Sequence, residues 1–288
     1  MKTLLEKMAV AVCLCLLMIG TSSQTAVAQA PQSTWEQIQK TKKLRLGVAP
    51  TEPWYFKDTS GKEGPGAVKS GDAVWRGVGT MLAKEIADAL GVELVVVETT
   101  WGNAVAGLQA NQFDLMFMLD PNPVRAMAID FAGPVLWYPF GLIVKDELAG
   151  KSWAELSDPK YKLGGVTGSS TAATMARMAP NATISYFPSH GELLAAFQSG
   201  RIDGAMTTAP TADLTRAKIK MGKTLVPAPA VTTPTGAGIR IETDARWRNY
   251  LTTVTQFLYN TGKSQELYEQ FLTYRGLDAK EVTPITAR

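Results

Sequence analysis

Thiols are almost missing from this chain: its 288 residues hold two cysteines, Cys13 and Cys15, and a single histidine, His190. Both cysteines fall in an apolar run from Met8 to Ile19, with Lys2 and Lys7 ahead of it and Thr, Ser, Gln and then Ala26-Val-Ala28 behind it. Charged, apolar and small-residue regions in that order read as an export signal, with cleavage expected after Ala28. The mature chain would then hold no cysteine, which excludes disulfides, a thiolate metal site and a cysteine nucleophile. Long apolar runs are scarce as well. The one present is about a dozen residues, shorter than the ~20 that a spanning helix needs, and no other stretch approaches it. Charge of one sign is also lacking. The net charge of +3 becomes +2 once the signal's two lysines and one glutamate are removed, too little to imply nucleic-acid or membrane-surface binding. No His/Glu spacing suggests zinc, and no Gly-rich loop precedes a helix with a lysine as a nucleotide cradle requires, so no cofactor is expected.

What the chain does have is alternation of strands and helices over about 260 mature residues, enough for one large or two medium domains. Trp35 to Lys42 reads as a short amphipathic helix before the strand Lys43-Leu-Arg-Leu-Gly-Val-Ala49, and Thr59 to Asp72 as an exposed loop or hairpin. Gly79 to Gly91 has apolar residues at helical spacing with a glycine stop, and the strand Val92 to Val97 follows. The next unit repeats this logic, helix Asn103 to Ala110 feeding strand Phe113 to Leu119. From near Asp146 a second series runs through strands at Lys162–Val166, Thr183–Phe187 and Gly204–Thr207, with helices at Trp153–Leu156, Ser170–Met178 and Gly191–Gln198. A Pro/Ala/Thr-rich stretch, Pro227 to Pro234, leads to Gly236–Ile241 and two helices, Ala245–Tyr259 and Gly262–Tyr274. Such alternation predicts α/β architecture with mostly parallel sheets.

Arg125 is the residue with the clearest chemical meaning. Asn122-Pro-Val-Arg125 follows the carboxyl end of the apolar strand ending at Leu119, where open α/β sheets bind ligands. A guanidinium there is a permanent cation with a planar donor fork that matches a carboxylate. The alternative is a surface arginine in an ordinary salt bridge.

In order and spacing, the mature chain resembles the periplasmic solute-binding proteins of polar amino-acid ABC importers, the family 3 type. The matching pieces are Leu44-Arg-Leu-Gly-Val with Pro53-Trp54, Leu82 to Gly91, Leu108 to Leu115, Pro123-Val-Arg125 with Asp130-Phe-Ala-Gly-Pro134, Gly165-Val-Thr-Gly-Ser-Ser170, Gly200-Arg-Ile-Asp-Gly-Ala205 and Gly236-Ala-Gly-Ile-Arg-Ile241. The resemblance implies a two-lobed periplasmic-binding-protein-like fold, each lobe a mostly parallel sheet flanked by helices, joined by two hinge strands at Phe140–Val144 and Gly236–Ile241. Lobe one would be residues 33–141 plus 236–288 and lobe two 142–235, closing on a ligand held between them. It also implies a periplasmic monomer that hands a small carboxylate or amino acid to an ABC transporter permease.

Carried over by position, the resemblance makes Arg125 the ligand-carboxylate arginine and Ser169 and Ser170 the hydroxyls at a helix start that hold the same group. A helix N-terminus suits an anion, although either serine could simply cap the helix. Trp101 and Trp54 fall at aromatic positions that cover the ligand, with core packing the alternative for each. Trp75, Trp137, Tyr138 and Trp153 are assigned to packing or rim. One departure matters: where relatives that bind α-amino acids carry an ammonium-anchoring aspartate, this chain has Thr208. Five residues before Arg125, where Thr or Ser is usual, it has Asp120. The ammonium anchor is therefore expected to have moved from Thr208 to Asp120. If Asp120 instead caps its turn or pairs with Arg125, the ligand would be a carboxylate without an ammonium, such as a keto acid.

An enzyme on the same frame is the competing reading, since related two-lobed proteins include dehydratases of cyclic carboxylates, and Asp120 or Glu52 could supply an acid or base. Against it stand the absence of cysteine or a paired-carboxylate motif and a lone His190, expected at a helix start and away from the cleft. A sensor domain feeding a separate membrane kinase is the third.

Overall fold

The computed structural model describes residues 32–286; the expected export signal and its cleavage point lie outside the described residues. Helix α1 (Thr34–Thr41) begins where the Ser33 hydroxyl accepts from Glu36 N at 3.3 Å, and it leads into β1 (Lys43–Val48), whose Leu44, Leu46 and Val48 are buried. Strands β2 (Phe56–Asp58), β3 (Val68–Ser70) and β4 (Ala73–Arg76) form a small antiparallel sheet in the order β2-β4-β3. The largely exposed loop between β2 and β3 is held from below by Arg76, which donates to Asp58 at 2.6 Å and to the carbonyls of Lys62, Gly64 and Pro65. Helix α2 (Val78–Leu90) stops at Gly91, whose φ of 64° lies in the left-handed region that glycine enters without steric cost. Strand β5 (Glu93–Glu98) then returns parallel to β1.

Helix α3 (Ala104–Gln109) feeds β6 (Met116–Leu119), and the single turn α4 (Pro123–Ala126) separates it from β7 (Asp130–Val144). Beyond these come α5 (Trp153–Leu156), β8 (Lys162–Val166), α6 (Ser170–Met178), β9 (Thr183–Phe187), α7 (His190–Gln198), β10 (Gly204–Thr208), α8 (Ala209–Ile219), β11 (Lys223–Leu225) and β12 (Thr232–Ile239). Helices α9 (Arg246–Asn260) and α10 (Lys263–Tyr274) follow.

The long strand β7 organises the two-lobed α/β fold. Its first part, Asp130 to Pro139, pairs antiparallel with β12, which also pairs with β6. From Phe140 to Val144 it changes partners to β10, with β11 added at Leu142 to Val144. Strands β10, β8 and β9 continue that side in parallel, as do β1 and β5 on the other, where Leu46 bridges in parallel to Leu115. The antiparallel pairs come from β7, β12 and the small sheet, so the strand-helix-strand units keep the parallel pairing that their crossovers require. Trp54, Trp247, Tyr55, Tyr138 and Tyr268 are the largest fully buried side chains. Trp75 and Trp153 are buried too, as packing residues.

Several elements differ from expectation: β2, β4 and β11 were not foreseen, and β7 begins at Asp130 where a hinge strand was expected only at Phe140–Val144. Residues 209–219 form α8, which the sequence did not announce, and the strand expected at Gly236–Ile241 starts earlier, at Thr232, and ends at Ile239. Among the described residues, no helix is long and apolar enough to cross a membrane.

Candidate functional site

Parallel strands direct their carboxyl ends, and the helix starts that follow them, toward one edge of a sheet. Here β6 delivers Asp120 and Arg125, β8 delivers Ser169 and Ser170, β9 delivers His190, and β10 delivers Thr208 to a common cavity. It holds about 480 Å³ of atom-free space, its opening to solvent included. Trp54 and Trp101 line it as well, so every ligand-contact residue singled out from the sequence faces the same space, whereas Glu52, the other candidate acid or base, does not line it and pairs with Lys218 and Arg275.

Asn122 accepts from Arg125 N at 2.9 Å and starts α4, so the turn that carries Arg125 is capped by its own sequence. The Arg125 side chain is 9% exposed, which removes the surface salt-bridge reading. Its Nη1 donates to the Asp120 carbonyl at 3.0 Å and to Ser170 Oγ at 2.9 Å, and its Nη2 donates to the Gly168 carbonyl at 3.0 Å. The guanidinium thus reaches from the β6 side to the β8 side of the cavity. Burial pulls its pKa down and the nearby Asp120 pulls it up; an arginine stays charged through such shifts.

Asp120 contacts Arg125 through its carbonyl, while its carboxylate accepts the Tyr138 hydroxyl at 2.7 Å. Burial raises the Asp120 pKa, opposed by the Tyr138 hydrogen bond and the charge of Arg125. The Tyr138 hydroxyl is pushed well above its usual range by burial and then by Asp120, so it remains a donor. Tyr138 therefore belongs to the cavity wall, which corrects its assignment to packing or rim: its ring lies 5.1 Å from that of Trp54, which in turn lies 6.4 Å from Tyr268. Trp54 is both core and wall.

Ser169 caps α6. Its hydroxyl donates to the Val166 carbonyl at 2.7 Å and accepts from Ala172 N at 3.1 Å, whereas Ser170 Oγ faces Arg125. The Thr208 hydroxyl donates to Thr211 Oγ1 at 3.0 Å, and no carboxylate stands at that position. Trp101 is partly exposed and donates from Nε1 to Thr51 Oγ1 at 3.0 Å, which fixes the indole over one side of the opening.

His190 also lines the cavity. It does start a helix, α7, but that helix follows a parallel strand's carboxyl end, so its first residue turns toward the cleft rather than away from it as expected. Burial first and Lys218 second push its pKa down to about 4, so the ring is neutral near pH 7. Thr51, Met118 and Met206 were likewise not singled out. Met118 carries a backbone signature: its φ is +60°, and it is the extra residue where β12 shifts register against β6, with Gly236 opposite Leu119 and Ala237 opposite Phe117. A bulge of this kind re-aims a side chain. Among the described residues, no group of three or more His, Cys, Asp or Glu is placed to hold a metal ion.

The sequence model described as "Bacterial extracellular solute-binding proteins, family 3" matches residues 44–274. A "probable amino-acid ABC transporter-binding protein" of Haemophilus influenzae is 31% identical over 111 residues, which span 38% of this chain and only 38% of that relative. Among solved structures, an ancestral amino-acid-binding protein described as a precursor of cyclohexadienyl dehydratase is 27% identical, with a TM-score of 0.71 over 83% of this chain and 99% of that one. A binding component of an ABC transporter from Wolinella succinogenes, complexed with lysine, is 25% identical, with a TM-score of 0.69 over 80% and 95%. A Streptococcus pneumoniae substrate-binding protein bound to L-arginine shares the fold at 21% identity and a TM-score of 0.72, over 84% and 98%.

Proposed function

Since the chain belongs to the bacterial extracellular solute-binding proteins of family 3, we propose that it is a periplasmic receptor that clamps an amino acid between its lobes and delivers it, unaltered, to an ABC importer in the inner membrane. The observation that carries this reading is the buried Arg125 side chain, aimed into the cavity and in hydrogen-bond contact with Gly168 and Ser170 on the opposite wall. In this reading three of its five N–H groups bond protein oxygens, and the remaining donors, with Ser170, hold the ligand carboxylate. Asp120 takes the ammonium, since Thr208 supplies only a neutral hydroxyl where a carboxylate would be needed to match the charge. Trp54 and Trp101 cover the ligand. The lobes meet at two crossovers, the middle of β7 near Phe140, where its partners change, and the chain entering β12.

Titration calorimetry over a panel of amino and organic acids tests the proposal, together with mass spectrometry of whatever small molecule co-purifies. Removing one member of a buried charge pair costs about 2–5 kcal/mol, so Arg125→Ala should weaken binding about 30-fold to several thousand-fold. Asp120→Asn should weaken an amino acid and leave the matching keto acid unaffected; equal affinity for the amino acid in this variant would reject Asp120 as the anchor. A dehydratase-like activity is the second reading, favoured by one observation, a buried cavity carboxylate whose pKa is raised. Recovery of intact ligand after long incubation decides for the receptor.

A further inference from the structure

The apolar part of the cavity lining is made of Trp54, Trp101, Met118, Val166 and Met206, with the neutral ring of His190 beside them. Among the described residues that line the cavity, Asp120 is the only carboxylate and Arg125 the only arginine or lysine. Lys218, whose charge acts on His190, is itself paired: Glu52 accepts from Lys218 at 3.1 Å and from Arg275 at 2.8 Å. Two of the hydroxyls that reach the cavity already donate their protons within the protein. Thr51 donates to the Pro50 carbonyl and accepts from Trp101, and Thr208 donates to Thr211. A ligand side chain entering here meets mostly apolar surface, with the His190 ring and the Thr207 hydroxyl as neutral polar groups.

Met118 adds an independent argument. A non-glycine residue in the left-handed region costs about 1–2 kcal/mol relative to glycine, and bulges of this type ordinarily place glycine there. Met118 occupies that conformation with its side chain 3% exposed and facing the cavity. A backbone outlier at a ligand wall points to a functional constraint on that side chain.

Resting on the receptor reading above, we propose that the site selects amino acids with uncharged, apolar side chains, and that Met118, held in the cavity by the strained bulge, is a specificity-determining contact. A lysine or arginine side chain would be buried without a carboxylate beyond the one that its ammonium uses, and a glutamate side chain without a second cation; an uncompensated buried charge is expensive. The preference separates this site from those of the structural relatives whose descriptions name bound arginine or lysine.

The test is calorimetry of the wild-type protein, freed of co-purifying ligand, with L-leucine, L-methionine, L-phenylalanine, L-alanine, L-lysine, L-arginine and L-glutamate, repeated on Met118→Gly. At least one of the three larger apolar amino acids should bind about 100-fold or more tightly than L-lysine, L-arginine or L-glutamate. In Met118→Gly that ligand should lose about 10-fold, while L-alanine, too short to reach the residue, changes less than about 3-fold. Equal or tighter binding of a charged amino acid overturns the inference and leaves the receptor reading standing. Uniform loss across the panel in Met118→Gly overturns the role of Met118, because a merely structural effect would not depend on ligand length. The wild-type panel needs no variant to fold. Failure of every amino acid to bind the wild type overturns both readings.

Discussion

Gly168 tests whether the two walls of the cavity must approach as closely as they do here. Its φ is +75°, and a Cβ added to it would lie 2.7 Å from Gly102 Cα and 3.3 Å from Gly102 N, on the opposite wall. Those are backbone atoms and cannot rotate away. Restoring an ordinary carbon contact of about 3.5–4.0 Å requires the walls to part by about 1 Å. The Arg125 bonds to Gly168 and Ser170, now 3.0 and 2.9 Å, would then pass out of hydrogen-bond range. Losing hydrogen bonds to a charged donor costs about 1.5–3 kcal/mol each, and partial replacement by water lowers the sum. Gly168→Ala should therefore lose about 3–4 kcal/mol of ligand affinity, roughly 150- to 900-fold, by calorimetry.

Left-handed strain in the new alanine costs about 1–2 kcal/mol more, but it falls on folding rather than on closure. Gly200→Ala isolates that contribution, because Gly200 has a φ of +73° and nothing within 4 Å of its added Cβ. Both variants should melt at similar, slightly lowered temperatures, and only Gly168→Ala should bind weakly and fail to contract on ligand addition in small-angle scattering. Affinity within threefold of wild type for Gly168→Ala, with normal contraction, would refute the reasoning.

Two further outcomes follow from buried groups. The Asp58–Arg76 pair is 2.6 Å apart, with side chains 2% and 3% exposed, and burial alone would raise the Asp58 pKa, yet hydrogen bonds from Ser60, Tyr274 and Arg76 hold it well below the carboxylate range. Arg76→Ala leaves that carboxylate buried without its partner, so it should destabilise the fold by about 3–5 kcal/mol in urea titrations, with ligand stoichiometry unchanged. His190 binds its proton less readily folded than unfolded, so stability should fall as pH drops from about 6.5 toward about 4 and level off below. The wild-type loss should exceed that of His190→Gln by about 1–3 kcal/mol, read as the difference between their urea midpoints at pH 7 and pH 4.5.

Much of the fold was legible because its units announce themselves locally. Helix α2 carries an apolar face and its own glycine stop, and the residue runs of β8, α6 and β9 have periods and caps that hold in three dimensions. Helix α8 escaped because Pro210, threonines, Asp213 and basic residues give it no apolar stripe. Its polar residues are buried because remote partners satisfy them: Asp213 accepts from Thr283 N at 2.9 Å and Thr283 Oγ1 at 2.6 Å, 70 residues along the chain. Strands of three residues, such as β2, β3 and β11, are too short to show a period. In the cavity, Asp120, Arg125, Ser169 and Ser170 carried a local sign, a charge at a strand end or a hydroxyl at a helix start, whereas Trp54 and Trp101 were found only through the resemblance. Met118 had none, since its place depends on a register shift between β6 and a strand more than a hundred residues away. His190 had a usable one, a helix start behind a parallel strand, outweighed by its distance in sequence from the other motifs.

The sequence put Asp120 and Arg125 five residues apart, and the natural inference was a choice between an ion pair and two separate anchors. The geometry resolves the contact by atom. Arg125 bonds the Asp120 carbonyl, and Tyr138 bonds the carboxylate. A direct ion pair would satisfy both charges within the protein, and a solute would have to break it before binding. Turning the carboxylate toward a neutral donor instead keeps the two charges adjacent but unneutralised by contact, while burial raises the Asp120 pKa and the Tyr138 hydrogen bond opposes that rise. A zwitterion presents opposite charges on neighbouring atoms, and two such groups held apart on one turn can meet both at once. Tyr138→Phe removes the neutral donor, so Asp120 should then turn to Arg125 and the affinity for an amino acid should fall, although neither charged residue has been changed.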